Sequence, residues 1–430
     1  MNNSQFTVYH ASWVCPVDQP PIANAAVTVN ERSILSVGRF ADAFDSISRS
    51  QCKVIDLGVG AIIPGLVNAH SHLEFSDLEQ PLGRPGIDFT DWIRLVVSRR
   101  QNSSQDSNLQ TTSSNKSSAI ERGINESLES GVWAIGEIAT LPLELDHYRR
   151  HQQDRSTPDM LLTCFLEQLG RDDSSLDQKR SELDSFFRQH PDANSCLRLG
   201  SSPHAPYSVA PNLLRQICQQ STSAGLPLAM HLAESLSERE LLEKQTGRFV
   251  SLLQDFGVWD PASFQSGFSI GEIIRIISHA PLSLIVHGNY LSAQELDIVA
   301  ASSNRMSIVF CPRTHHFFQH SDYPIEQILL RGINICLGTD SRASNPDLDL
   351  HSESKHVANS FPYLDADRIL AMATINGATA LGISQDYGSI TQGKRPALSF
   401  ISHPDAGSVG PPSQWMFDTQ STCSPLWDQQ

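Results

Sequence analysis

The 430-residue sequence predicts an α/β fold: a (β/α)8 TIM-type barrel with a small β-sandwich domain formed by both termini. Three observations carry this expectation. Eight short apolar runs alternate with longer amphipathic stretches through the middle of the chain. Most of those runs end in a polar or ionisable side chain. Strand-like segments without helical period lie at both ends. Apolar runs without alternation fit strands covered on both faces, and eight of them separated by helices favour a closed parallel barrel over an open sheet. A barrel takes about 250 residues, which leaves room for a smaller unit.

The N-terminal segments "FTVYHASWV", "AAVTVN", "SILSVG" and "CKVIDLG" are rich in β-branched and aromatic residues and are separated by turn residues. "GSITQGKRPALSFI", near the other end, is expected to pair with them. The barrel strands are expected in "AIIPGLVNAH", "VWAIGEI", "MLLTCFLE", "CLRLGSSPH", "LPLAMHLAE", "LSLIVHG", "MSIVFCP" and "INICLGTDS". The expected domains are residues 1–60 for the N-terminal part of the sandwich and 61–365 for the barrel. Residues 366–430 are expected to add a C-terminal helix and the remaining sandwich strands. The run from Arg99 to Ser118, "RRQNSSQDSNLQTTSSNKSS", has few apolar residues to bury. It is expected to be a loop near the barrel mouth, either a lid or a passive insertion.

A formal net charge of −16 argues against nucleic acid or an anionic membrane as the main partner. No apolar run approaches about 20 residues, so no membrane span is expected. The start, "MNNSQFTVYHASWVCP", lacks the basic and apolar regions of a signal peptide. The eight cysteines show no C-x-x-C pair and read as reduced, which suits a cytoplasmic location. The expected partner is a small-molecule substrate; a homo-oligomer is left open.

The chemistry gathers at the strand ends. His70-Ser71-His72 places two imidazoles two residues apart, and i and i+2 share a face of a strand. Two neutral nitrogen donors on one side suit a divalent metal. "MHLAES" adds His231 and Glu234, "IVHGNY" adds His287, and "LGTDS" adds Asp340. Ionisable groups at the ends of buried strands are costly unless paired or ligated, so their convergence points to a site. A metal lowers the pKa of bound water from about 15.7 to about 7, and a nearby carboxylate can shuttle its protons.

With "PGLVNAHSHLE", "HAPYSV", "HLAES", "VHGNYLS", "CPRTHHFF", "LGTDSRASNPDLDL" and the terminal "GSITQGKRPALSFI", the chain resembles the amidohydrolase superfamily. The branch is that of the metal-dependent deaminases and chlorohydrolases. The resemblance implies that His70, His72, His231 and Asp340 are metal ligands. It places His287 beside the metal-bound water and Glu234 as the proton shuttle. Binuclear relatives bridge two metals with a lysine at the fourth strand end. "CLRLGSSPHAPYSV" has none, so one divalent metal is expected, zinc first and iron second.

His204 in "SPHAPY" is expected to face the substrate, as are Glu74 and Arg342. Glu167, ending the third strand, is a candidate for a supporting role. "HSHLEFS" and "FTDWI" are similar to aminodeoxyfutalosine deaminases and to adenosine-type deaminases, which implies an aminated purine nucleoside or relative as substrate. Where many relatives read "CPTSN", this chain reads "CPRTHH", so Arg313 and His315 are expected to bear on substrate choice. The run His315, His316, His320 lacks an evident fourth donor for a second zinc. The expected activity is hydrolytic deamination of an aminated N-heterocycle. Its rivals are a cyclic amidohydrolase or chlorohydrolase and a catalytically inactive binding protein.

Overall fold

The computed structural model describes residues 6–44, 48–105, 109–140, 148, 160–171, 185, 196–264, 268–402 and 410–427. Seven strands near the two ends of the chain form one mixed sheet. They are β1 (Phe6–Val14), β2 (Ile22–Val29), β3 (Ile34–Arg39), β4 (Cys52–Asp56), β5 (Gly60–Pro64), β14 (Leu398–Ser402) and β15 (Thr422–Leu426). The sheet runs β15-β14-β5-β1-β2-β3, with β4 also pairing β1. Strands β4 and β5 lie parallel to β1 and the other pairs are antiparallel. So the two termini do meet, through β14 on β5. Of "GSITQGKRPALSFI", only Leu398–Ser402 within "ALSFIS" is a strand. The turn before it still grips the sheet, because Gly393 N–H donates to the Ile34 carbonyl and Ile34 N–H to that of Lys394.

The barrel is a parallel eight-stranded sheet in sequence order. Its strands are β6 (Leu66–Ser71), β7 (Val132–Ala139), β8 (Leu161–Gln168), β9 (Leu197–Pro203), β10 (Leu228–Leu232), β11 (Ser283–His287), β12 (Met306–Phe310) and β13 (Asn334–Leu337). A parallel bridge between Ser71 and Asp340 joins the last strand to the first. Asn68 reinforces that seam. Its amide donates to Thr339 Oγ1 at 2.8 Å, and its oxygen accepts from Thr339 N–H at 3.1 Å.

The run "AIIPGLVNAH" is not one strand. It divides at Gly65 into β5 of the terminal sheet and β6 of the barrel. Both halves are buried, so the apolar run is continuous although the chain changes sheet. Gly65 is required there, because a Cβ would run into the Trp133 indole. That indole donates to Ser399 Oγ at 3.1 Å, tying β7 to β14.

The polar run from Arg99 to Ser118 is not an extended loop. It falls on the end of helix α1 (Phe89–Gln105) and the start of helix α2 (Leu109–Glu129), with residues 106–108 outside the described ones. The apolar anchors lie on either side of the run. Phe89 is buried near one end, and Ile120, Ile124 and Leu128 are buried at four-residue spacing toward the other. Among the described residues, no helix is long and apolar enough to cross a membrane.

Gly65→Ala should destabilise the chain by about 1–3 kcal/mol, the usual cost of overpacking a filled core. Urea unfolding of the purified protein measures it. An unchanged midpoint would mean that the junction has slack the close Trp133 approach denies.

Candidate metal centre and active site

His70 lies on β6 and His72 just past its end; His231 lies on β10. The ligand atoms of these three imidazoles all lie within 4.8 Å of one another. His72 Nε2 and His231 Nε2 are 3.3 Å apart. Asp340 Oδ1 lies 3.5 Å from His70 Nε2 and 3.7 Å from His72 Nε2. All four side chains are buried.

The donor chemistry fits a divalent cation. Both ring nitrogens of His70 and Nδ1 of His72 are buried without a hydrogen-bond partner, which is costly unless something else satisfies them. His231 Nδ1 lies 3.1 Å from the His204 carbonyl. A carbonyl only accepts, so Nδ1 carries the proton and Nε2 keeps its lone pair for the centre. Burial and the neighbouring imidazoles push His72 and His231 well below the usual histidine range, leaving neutral donors. Among the described residues these histidines form a single divalent-metal-binding site.

Asp340 is placed by a backbone that only a close fit allows. Its φ is +58°, and its N–H donates to the His70 carbonyl at 3.1 Å. Ser344 Oγ donates to Oδ2 at 3.0 Å. A Cβ on Gly338 would approach the His70 Cβ to 2.9 Å, so the "GTD" glycine lets the two strand ends close. Burial would raise the Asp340 carboxyl, but the adjoining His70 imidazole and the nearby His287 hold it below the usual range.

His287 sits at φ +70°, with its carbonyl accepting from Tyr323 O–H at 2.9 Å. Its Nε2 lies 3.4 Å from Glu234 Oε1. Glu234 follows Ala233, which has φ +54°. That turn is held by Glu238, whose carboxylate accepts from Ala233 N–H at 2.8 Å and Glu234 N–H at 3.2 Å. The Asn289 amide donates to the Glu234 carbonyl at 2.9 Å. Burial pushes the Glu234 carboxyl well above the usual range, with Asp340 and Glu238 adding to it.

The expected substrate contacts divide. His204 stays with the centre, its ring 5.0 Å from that of His231. Burial and the Arg100 charge push its imidazole down to about 3, so it is neutral. Glu74 lies in an ion network, accepting from Arg100 at 2.6 Å and from Thr140 Oγ1 at 2.7 Å, with Lys116 at 3.8 Å. Burial would raise its carboxyl, but Arg100 and Lys116 keep it low. Arg342 is engaged elsewhere, donating to the Leu78 carbonyl at 2.7 Å and to Glu126 on α2 at 2.6 Å. Arg313 is likewise fixed, on Glu353 at 2.7 Å and Asp347 at 2.6 Å. His315 and His320 stack edge to face at 5.4 Å, and Tyr290 O–H lies 3.1 Å from His320 Nδ1.

Three residues that sequence reading passed over hold the site in shape. Glu137 on β7 accepts from Leu73 N–H at 3.0 Å and from Tyr148 O–H at 3.2 Å, fixing the chain just past His72. Glu238 sets the Glu234 turn. Arg100 joins Glu74 to Glu167, the latter at 3.5 Å. Signals were present for two of them. Glu137 is a lone carboxylate inside a buried strand, and Ser235 to Glu238 is an S-x-x-E capping pattern at a helix start. Nothing in the sequence singles out Arg100 from its neighbour Arg99.

Elemental analysis should find about one divalent metal per chain, lost in His70→Ala. Two tightly held metals per chain would overturn the single-site reading.

Comparison with known proteins agrees with this geometry. The 5-methylthioadenosine/S-adenosylhomocysteine deaminase of Moorella thermoacetica is 22% identical over 398 residues, 90% of this chain and 83% of that protein. The aminodeoxyfutalosine deaminase of Deinococcus radiodurans is 25% identical over 359 residues, 77% of this chain and 76% of that protein. The crystal structure of Helicobacter pylori aminofutalosine deaminase in complex with methylthio-coformycin matches with a TM-score of 0.81 and 23% identity, over 97% of each chain. That last likeness is one of fold. The amidohydrolase family model matches residues 61–423, from the start of β5 through the whole barrel to the start of β15. The chain therefore belongs to the amidohydrolase family, as a metal-dependent hydrolase whose centre stands at the ends of its barrel strands.

Proposed function

We propose that the chain is a hydrolytic deaminase that releases ammonia from an aminated N-heterocycle, a purine nucleoside or relative, with one zinc ion. The observation that carries this reading is the position of Glu234. Its carboxyl lies 3.4 Å from His287, outside the three-imidazole cluster, and burial pushes it well above the usual range. The named deaminases among the relatives support the same bond and the same substrate class.

His70, His72, His231 and Asp340 hold the metal. When bound, a divalent cation supplies Lewis acidity, which makes water nucleophilic at neutral pH. Every other task falls to this chain. In the overall reaction water gives up two protons: one ends on the ring nitrogen and one on the departing amine. Glu234 takes one proton from water and gives it to the ring nitrogen, then takes water's second proton and passes it to the amine. His287 stays neutral, because burial pushes its imidazole well down. It can then orient the attacking oxygen or accept a hydrogen bond from Glu234. Asp340, held ionised, offers a second acceptor for a water proton. Glu74 and Arg100 form a charged floor for the substrate pocket, and His204 contacts the substrate. The eight cysteines, none of them in a disulfide, support a reducing compartment, the cytoplasm.

Glu234→Gln keeps the shape but cannot shuttle a proton. It should lose roughly 10²–10⁴ of the ammonia-release rate while retaining metal and substrate binding. Wild-type-like ammonia release would remove Glu234 from the mechanism and favour hydrolysis of another bond. His287→Ala should also impair turnover more than metal retention. Metal loss as complete as in His70→Ala would make His287 a ligand instead.

A further inference from the structure

Glu167 has no task in the mechanism above, yet it is placed with care. It lies near the end of β8, in register with Ser202 of β9, and its side chain is 2% exposed. Oε2 faces Arg100 at 3.5 Å. Oε1 is buried with no hydrogen-bond partner. The nearest polar ring is that of His204, whose Nε2 lies 3.7 Å from Oε1. That distance is too long for a hydrogen bond.

The protonation of His204 follows from its other side. Its Nδ1 lies 2.7 Å from Ser208 Oγ. The Ser208 hydroxyl has one hydrogen, and the Ala205 carbonyl at 3.1 Å is within reach to accept it. With that hydrogen on the carbonyl, Ser208 Oγ accepts from His204 Nδ1–H, and Nε2 carries a lone pair. Two lone pairs, His204 Nε2 and Glu167 Oε1, then face the same space with no hydrogen between them. Unsatisfied buried acceptors are costly and call for a donor. His204 is 21% exposed, so the space opens at that end, and its ring neighbours that of the metal-site His231 at 5.0 Å.

The surroundings decide which donor. A cationic group would be repelled by Arg100, which already answers the Glu167 charge. An anion would meet two lone pairs. A neutral group with two adjacent O–H donors satisfies both acceptors. We propose that Glu167 Oε1 and His204 Nε2 form a two-acceptor slot for the vicinal hydroxyls of a ribose, which makes Glu167 a specificity residue for nucleosides. The proposal rests on the aminated-nucleoside reading given above.

The test compares ammonia release from adenosine, 2′-deoxyadenosine and 3′-deoxyadenosine by wild type and by Glu167→Gln, with metal content as the check on the site. In wild type each deoxy substrate should lose about 10–100-fold in kcat/KM, as expected for a hydrogen bond to a charged group. In Glu167→Gln the penalty for at least one missing hydroxyl should shrink to less than about threefold. The loss with adenosine should fall on KM more than on kcat, because the slot holds the substrate in ground and transition states alike. A deoxy penalty as large in Glu167→Gln as in wild type overturns the role of Glu167. Should the variant fail to hold metal, the wild-type series decides alone: equal kcat/KM for all three substrates overturns the slot. No ammonia from any of the three overturns the nucleoside reading and the slot together, whereas hydroxyl-indifferent release overturns the slot only.

Discussion

The seam between the first and last barrel strands is the constraint on which the site depends. Asn68 bonds twice to Thr339, Ser71 bridges Asp340, and Asp340 N–H reaches the His70 carbonyl. These contacts close the barrel, and they also bring a carboxylate from β13 against two imidazoles from β6. A change at the seam would alter the position of Asp340 relative to His70 and His72. Gly338 belongs to the same arrangement, since a side chain there would press on His70 itself. Closure of the fold and assembly of the metal centre are thus one event.

A second constraint is the burial of charge. The centre gathers Asp340 and Glu234, and around it lie Glu74, Glu137, Glu167 and Glu238, all with little or no exposure apart from partly buried Glu74. Each is answered differently. Glu137 and Glu238 accept from backbone N–H groups, so they brace turns. Glu74 is neutralised by Arg100 and Lys116. Glu234 has His287 beside it, and burial pushes its carboxyl well up, with Asp340 and Glu238 adding to that. Carboxyl groups of one chemical type are thereby sorted into braces, counter-ions and an acid by what surrounds them. Glu238 is pushed up to about 7 by burial, against the two backbone donors that favour its charge.

The barrel and its eight strands were legible because their apolar runs are long and their ionisable ends recur. His70, His72 and His231 were legible for the same reason, since each interrupts or ends an apolar run where a lone imidazole has no packing role. The terminal sheet was legible as strands, but not the division of "AIIPGLVNAH" between two sheets. Apolarity is blind to which sheet a strand joins, and only the close approach of Trp133 to Gly65 marks the break. The polar run after Arg99 misled in the opposite direction. Its order comes from Phe89 and from Ile120, Ile124 and Leu128, which lie outside it. Arg342 and Arg313 stand beside site motifs in the sequence but find Glu126, Glu353 and Asp347 in three dimensions. Adjacency in sequence gives no direction to a long side chain.

Direction at the site comes from the backbone. Ala233 and His287 adopt positive φ where β10 and β11 stop, Asp340 does so three residues past β13, and none is glycine. For such residues this conformation is uncommon and carries a cost of order 1–3 kcal/mol each. Local sequence preference does not favour it, so tertiary contacts must impose it. Glu238 holds the Ala233 turn, Tyr323 holds the His287 carbonyl, and His70 holds the Asp340 N–H. In each case the left-handed step lies at or beyond the strand's end, where the chain turns beside the imidazoles. The Ala233 contact comes from the helix that follows it, the His287 contact from the loop before Ile325 and the Asp340 contact from β6, so two of the three depend on the assembled barrel. That explains why reactive groups from β6, β10, β11 and β13 can be placed within ångströms of one another by segments that, taken singly, have no reason to bend as they do.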